Sequence, residues 1–218
     1  MEIGLPINRF YLTSVANKSD LTFTWQMKEK LSDELLILKY AKGDAEAFEI
    51  IYLRHKGGLF RYCLRQFSNR AVAEECFQDI WFKVINNRLN YQPKALFTTY
   101  LYRIAQNQVI DIYRKDKKRL ADTEFEEDIV NKTVLGDDIV AKEQSDQQHR
   151  ALILRKQIAL LPFEQRNTLL LKLDSGLSLE EIGLVLDCGK ETVKSRLRYA
   201  TKKLRGMLEG SLGAEKDE

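Results

Sequence analysis

Lys190, Lys194, Arg196, Arg198, Lys202, Lys203 and Arg205 crowd one short stretch of the chain, opposed there only by Glu191. Val193, Leu197, Ala200 and Leu204 recur through it at helical spacing, so a helix from Lys190 to about Arg205 buries a thin apolar stripe and turns its charge outward. Ahead of it, Asp174-Ser175-Gly176 is a turn signal. Ser178 with Glu181 forms the S-x-x-E pattern in which each side chain caps the other's backbone N–H. A first helix therefore starts at about Leu179, with Leu179, Ile182 and Leu186 on its apolar face and Gly183 small enough for another helix to approach closely. Asp187-Cys188-Gly189 ends it, with Gly189 where the second helix is capped. Two short helices across a tight turn, the second one basic, describe a helix-turn-helix. Such a second helix fits the major groove, where Lys190, Glu191, Thr192, Lys194 and Ser195 would meet base edges. Arg196, Arg198 and the later lysines would meet phosphates and raise affinity without reading sequence. A solvated lysine-rich helix at the end of a bundle explains the charge alone, and leaves the cap, the small residue and the turn as coincidences.

The elements that must carry this motif are helical. From Leu31 to about Arg119 apolar residues recur at three and four spacing, with few breakers. Ala73, Phe77, Ile80, Trp81 and Val84 form one stripe, which leaves Glu75, Gln78, Asp79 and Phe82 away from its centre. A further helix, from about Phe97 to Arg114, buries Leu101, Ile104, Ala105 and Ile112 and carries Tyr100, Tyr102, Arg103, Asn107 and Arg114 on other faces. It runs into the basic cluster Arg114, Lys115, Lys117, Lys118 and Arg119. Composition then changes abruptly: Asp122, Glu124, Glu126, Glu127, Asp128, Asp137 and Asp138 make an acidic stretch with few core candidates, the signature of a linker. Helical periodicity resumes near Ala151 and lasts to about Leu208. The expected fold is all-α, with two small helical domains joined by an acidic flexible linker. Its boundaries are an irregular extension over 1–26, upstream of Met27, a first domain over 27–119, the linker over 120–148, a second domain over 149–208 and a short tail over 209–218.

Composition limits the function classes. Among 218 residues, 44% are hydrophobic and 31% charged, enough for both a core and a soluble surface. The formal net charge is only +3, so any electrostatic footprint on nucleic acid must come from local clustering. Cys63, Cys76 and Cys188 form no C-x-x-C pair, and His55 and His149 are the two histidines. Free thiols in a reducing compartment are expected, with neither a disulfide framework nor a metal site. No apolar run approaches the roughly 20 residues that cross a bilayer, and the chain is expected in the cytoplasm. A phosphate-binding glycine loop, H-E-x-x-H and G-x-S-x-G are all missing from the sequence. Glu74-Glu75, Glu126-Glu127 and Glu180-Glu181 fall on helix faces or in the linker. The chain is therefore read as a non-enzyme without cofactor or small-molecule substrate.

Leu161-Pro162, Arg166, Leu169-Leu170 and the run G-L-S-L-E-E-I-G-L-V-L-D-C-G-K-E-T-V-K-S-R-L from Gly176 to Leu197 closely resemble region 4 of bacterial sigma-70 factors in the extracytoplasmic-function (ECF) group. The first half resembles region 2 of the same family. Gly43 to Phe48 is similar to region 2.1, Glu75-Cys76-Phe77-Gln78-Asp79-Ile80-Trp81 to region 2.2, and Phe97 to Asn107 with Asp111 and Arg114 to regions 2.3 and 2.4. The resemblance runs from about Leu31 to Leu208, in family order. It implies a transcription initiation factor that binds core RNA polymerase and directs it to minus-10 and minus-35 promoter elements. By that resemblance Glu75, Gln78, Asp79 and Phe82 would grip the β′ clamp helices, and the β flap would be a second polymerase contact. Tyr91, Tyr100, Tyr102, Arg103, Asn107 and Arg114 would hold the minus-10 strand, with Asn107 reading an everted base, and Lys190 to Arg198 would read the minus-35 element. Tyr100 stands where the family commonly has tryptophan. Packing of Tyr100, Tyr102 and Tyr113 inside the bundle is the alternative for those rings, and Asp111 reads as a partner for a nearby arginine. The acidic linker would thread through the polymerase. Factors of this kind are commonly held by an anti-sigma protein.

Overall fold

The structure, a computed structural model, describes residues 28–67, 69–121 and 146–214, excepting the side chains of 116–121, 146–152 and 210–214. The described residues form α-helices and one 3-10 turn, with no strand. In the first half α1 spans Asp33–Ala41, α2 Ala45–Gln66, α3 Arg70–Asn86 and α4 Phe97–Ala121, with the 3-10 turn at Arg88–Asn90 between α3 and α4. In the second half α5 spans Asp146–Ala159, α6 Phe163–Asp174, α7 Leu179–Leu186 and α8 Lys190–Ala214.

Short polar side chains start these helices, because the first backbone N–H groups of a helix have no partner within it. Ser32 accepts from the Leu35 N–H, Asp44 from Ala47 and Asn69 from Ala71. For α4 the acceptor comes from elsewhere: Glu34 Oε1 in α1 takes the Phe97 N–H at 2.8 Å. One carboxylate thus ties the first helix to the start of the fourth, where the helix dipole favours negative charge.

The apolar stripes close on one another as their period requires. Leu36, Ile37, Ile51, Leu59, Ile80 and Leu101 are wholly buried among α1 to α4, and Trp81 meets Phe48 and Tyr52 edge-on with centroids 5.7 and 5.1 Å apart. Phe77, Ile104 and Ile112 lie at the margin of that core rather than within it. In the second half Leu170, Leu171, Ile182 and Val193 are wholly buried, and α8 crosses α5, α6 and α7.

The two halves are also docked against each other, α2 on α6 and α4 on α7, which the sequence did not suggest. Their contact is polar at its centre. Asn167 of α6, fully buried, takes the Tyr62 hydroxyl proton at 2.7 Å and the Gln66 Nε2 donor at 2.9 Å, and its own amide donates to Gln106 Oε1. Tyr113 donates to the Gln66 carbonyl and accepts from Arg166 at 2.8 Å, with its ring edge-on to Phe163 at 5.2 Å. At the border Arg65 donates to both carboxylate oxygens of Asp174 at 3.0 Å, Arg61 stands 3.5 Å away, and Tyr102 donates to the Asp174 carbonyl at 2.9 Å. Burial lifts the Asp174 carboxyl above its ordinary value, against the pull of Arg65 and Arg61.

Several expectations need adjustment. Helix resumes at Asp146 rather than near Ala151, and α8 runs on to Ala214. Gly183 admits no neighbouring helix. A Cβ there would stand 2.6 Å from the carbonyl oxygen of Cys188, so its bare Cα lets the chain of the next turn fold back onto α7. The left-handed residue of that turn is Asp187, φ 51, not a glycine. Asp111 faces Lys83, at 3.9 Å, rather than an arginine. The irregular extension over 1–26 and the acidic stretch over 122–145 lie outside the described residues.

Candidate nucleic-acid interface

The helix-turn-helix is built as its caps require. Ser178 accepts from the Glu181 N–H while Glu181 accepts from the Ser178 N–H at 2.7 Å, which fixes the start of α7. The Cys188 N–H bonds to the Gly183 carbonyl at 2.9 Å, and the Gly189 carbonyl accepts from Thr192 and Val193 to open α8. Val193, Ala200 and Leu204 face inward. Lys190, Glu191, Thr192, Lys194 and Arg198 are exposed, while Ser195 and Arg196 are partly covered.

Acids pre-position the cations. Lys190 pairs with Glu180 of α7, Lys194 with Glu191 at 2.7 Å, and Arg196 with Glu164 of α6 at 2.8 Å. The hydrogen bond between Lys190 and Glu180 holds the lysine above its ordinary value and the glutamate below. Arg196 also points Nη1 at Cys188 Sγ, 3.8 Å away, so it braces α8 against the turn and α6. Arg198 lies over the Tyr199 ring, 5.1 Å from its centroid.

A second polar face runs along α4. Arg103, Asn107 and Arg114 are exposed and stand four and eleven residues apart, one side of a helix. Tyr100 borders that side, half-buried, in a cluster with Tyr91 at 5.1 Å and Phe97 at 6.1 Å. Tyr91 is buried, its hydroxyl has no hydrogen-bond partner among the described residues, and burial pushes its pKa up to about 12. Tyr102 is 2% exposed and turned toward the second half, so neither Tyr91 nor Tyr102 presents an open ring face in this conformation. Of the three rings for which packing is the alternative, Tyr102 is buried and Tyr100 and Tyr113 are half-buried, and Tyr91, for which it is not raised, is buried as well.

A third face lies on α3. Glu75 and Gln78 are exposed and Phe82 is 54% exposed, a large aromatic left uncovered beside acceptors. Asp79 is half-covered and accepts from Gln108 Nε2 at 2.6 Å, while Gln108 accepts from Lys83, so the base of this face is tied to α4.

Sequence reasoning missed the docking residues Tyr62, Gln66, Gln106, Asn167 and Asp174. A signal was present: Asn167 and Asp174 share a helical face with Leu170 and Leu171, and polar residues on an apolar stripe mark buried hydrogen bonding. The cysteines are free, and contact with Cys76 together with burial pushes the Cys63 thiol up, which keeps it protonated and inert. Among the described residues no acidic, cysteine or histidine cluster could hold a metal, and no helix is long and apolar enough to cross a membrane.

Comparison with known proteins follows the same division. Sigma-70 region 2 matches residues 51–119 and Sigma-70, region 4 matches residues 158–206. The ECF RNA polymerase sigma factor SigW of Bacillus subtilis (strain 168) is 32% identical over 182 residues, covering 79% of this chain and 94% of SigW. The ECF RNA polymerase sigma-E factor of Escherichia coli (strain K12) is 27% identical over 177 residues, covering 78% and 91%. Two solved structures share the fold. CnrH in complex with the cytosolic domain of CnrY has a TM-score of 0.62 at 19% identity, covering 82% of this chain and 97% of CnrH. The sigma factor RpoE in complex with the anti-sigma factor NepR, from Bartonella quintana, has a TM-score of 0.63 at 21% identity, covering 76% and 98%. The helix-turn-helix, the region 2 bundle ahead of it and a near full-length relative above 30% identity agree, and the chain belongs to the ECF sigma factors of the sigma-70 family.

Proposed function

We propose that the chain is a promoter-directing transcription initiation factor whose three exposed faces divide the work. Glu75, Gln78, Asp79 and Phe82 on α3 take the β′ clamp helices of core RNA polymerase, with Phe82 as the apolar anchor and the acidic and amide groups as acceptors for basic partners. Tyr100, Arg103, Asn107 and Arg114 on α4 hold the displaced minus-10 strand. The Asn107 amide can both donate to and accept from the Watson–Crick edge of an everted base, and the arginines meet its phosphates. Tyr91 backs Tyr100 from within the first half, and Tyr102 belongs to the same site where its side of α4 is free of Asp174. The first turns of α8 enter the minus-35 major groove, with Lys190, Glu191, Thr192, Lys194 and Ser195 at base edges and Arg196 and Arg198 at phosphates. The second half also meets the β flap. An anti-sigma protein is the expected regulator, a reading supported by the neighbour RpoE, which is described in complex with one. Such a factor works in the cytoplasm and carries out no reaction of its own.

The observation that carries this reading is the pairing, in one chain of this family, of a capped and cationic α8 with the uncovered Phe82 face of α3. Gel shift and run-off transcription with and without core polymerase test it. The expected result is weak duplex binding by the chain alone and specific initiation when core is added. Specific duplex binding that core does not change would identify an operator-binding regulator instead.

A further inference from the structure

Gln108 follows Asn107 directly on α4, yet it is only 6% exposed where Asn107 is open to solvent. A buried amide needs partners for both its donor and its acceptor. Here α3 supplies both. The Gln108 Nε2 donates to Asp79 Oδ2 at 2.6 Å, and Gln108 Oε1 accepts from Lys83 Nζ. Asp111, nearly one turn further along α4, stands 3.9 Å from Lys83. Asp79, Gln108, Lys83 and Asp111 thus make a polar seam between α3 and α4, in which an amide dipole lies between an anion and a cation.

The seam joins two of the assigned faces. Asp79 shares α3 with Phe82 on the polymerase side, and Asn107 shares α4 with Arg103 and Arg114 on the minus-10 side. Gln108 takes one carboxylate oxygen of Asp79, which leaves the other, Oδ1, for a basic group of the polymerase. A carboxylate seated at one oxygen is held still at both, and the amide that grips Oδ2 is held with it. Elsewhere α4 meets its bundle through Phe97, Leu101, Ala105 and Val109, all wholly buried. Apolar burial is non-directional, so it sets the depth of α4 more firmly than its rotation, whereas a hydrogen bond adds a direction. A turn of about 10° would move a group at the rim of a helix, about 5–6 Å from its axis, by about 1 Å. That displacement is enough to break a hydrogen bond to a base edge.

We propose that Gln108 is a positioning residue for minus-10 reading: through it, the seating of Asp79 on core polymerase sets the rotation of α4 and the reach of the Asn107 amide. This role rests on the promoter-directing reading above, and Gln108 itself touches neither DNA nor polymerase. Removing the amide leaves the fold intact, because leucine fills a similar volume and Asp79 and Lys83 are exposed enough to take water instead. What is lost is the link between the two faces. A carboxylate at 108 would keep Lys83 but repel Asp79, and an amide at 79 would then restore the missing donor.

Full-length Gln108→Leu, Gln108→Glu and the swap Asp79→Asn/Gln108→Glu test this, with Asn107→Ala as the reference for base reading. Each is assembled with saturating core polymerase and run on template pools randomised across the minus-10 or the minus-35 element, beside circular dichroism and titration with core. Gln108→Leu is expected to keep its helicity and to hold its Kd for core within about 2-fold, while discrimination falls about 5-fold or more at the minus-10 position that Asn107→Ala affects. Minus-35 preferences should not move. Gln108→Glu should lose discrimination at that same position, and the swap should recover most of it, a coupling that a double-mutant cycle reads directly. Unchanged minus-10 discrimination in Gln108→Leu overturns the role. So does an equal loss at every promoter position with lowered helicity, which is what a merely structural residue would give, or a swap no better than Gln108→Glu alone. If the wild type neither binds core nor initiates, or Asn107→Ala alters no minus-10 preference, the promoter-directing reading fails and the role goes with it. A wild type and an Asn107→Ala that behave as expected beside silent Gln108 variants sink the role alone.

Discussion

Each of Lys190, Lys194 and Arg196 ends on a carboxylate of its own chain, so on the proposed reading DNA would compete with Glu180, Glu191 and Glu164 for them. Water screens such exposed ion pairs, so the exchange for phosphate costs little, while the acids hold the cations in place in advance. Glu191 differs from its neighbours because a carboxylate in the groove can accept from a cytosine amino group but repels phosphate. Glu191→Gln is therefore expected to relax base preference at one minus-35 position, at a cost of about 1–3 kcal/mol on the preferred sequence. Arg198→Ala should weaken binding to all sequences alike and reduce the salt dependence by about one ion. Run-off transcription by holoenzyme on a template pool randomised across the minus-35 element, repeated at several salt concentrations, separates the two. A uniform loss for Glu191→Gln would remove it from base readout.

Among the elements, α7 carries the most weight for its size. Its eight residues open with the Ser178–Glu181 capping box and close on the left-handed Asp187, and α8 is aimed by that turn. Ser178→Ala should lower stability by about 0.5–2 kcal/mol through loss of a cap. Gly183→Ala should cost more despite the better helix propensity of alanine, since its Cβ would collide with the backbone at Cys188, which cannot swing away. Thermal unfolding of the two variants gives the order. If Gly183→Ala proved as stable as wild type, the turn would have to relax in a way its present hydrogen bonds do not allow.

For the molecule as a whole, acid should act first on the corner where α1 meets α2 and α4. Burial raises the carboxyls of Asp33, Glu34 and Asp44, but bonding to charged and backbone donors outweighs it and leaves all three below their ordinary values of 3.8, 4.5 and 3.8. The donors are His55 and Arg54 for Asp33, the Phe97 N–H for Glu34, and Lys28 with the Ala47 N–H for Asp44. A depressed carboxylate contributes stability that is present above its unfolded value and lost as pH falls through its folded value. Urea unfolding midpoints should hold steady above about pH 5 and drop steadily below it, with Glu34→Gln flattening part of that drop. An unchanged acid limb in Glu34→Gln would show that the tie from α1 to α4 contributes no linkage.

The helices, the Ser178–Glu181 cap and the cationic face of α8 were legible without coordinates because they are local. Ser178 and Glu181 are three residues apart, the stripe from Val193 to Leu204 repeats at the helical period, and exposed Phe82 sits off a stripe that the spacing alone defines. Family order along the chain then settled what the pieces belong to. What only the tertiary structure decided is which polar residues meet across more than a hundred positions. Tyr62 and Asn167 share one hydrogen bond at a separation of 105 residues, and nothing periodic connects them. Whether Tyr102 faces DNA or Asp174, and whether the two halves stand apart or closed, depends on that long-range contact. Its energy arises from exchanging water for partners that the local pattern cannot name.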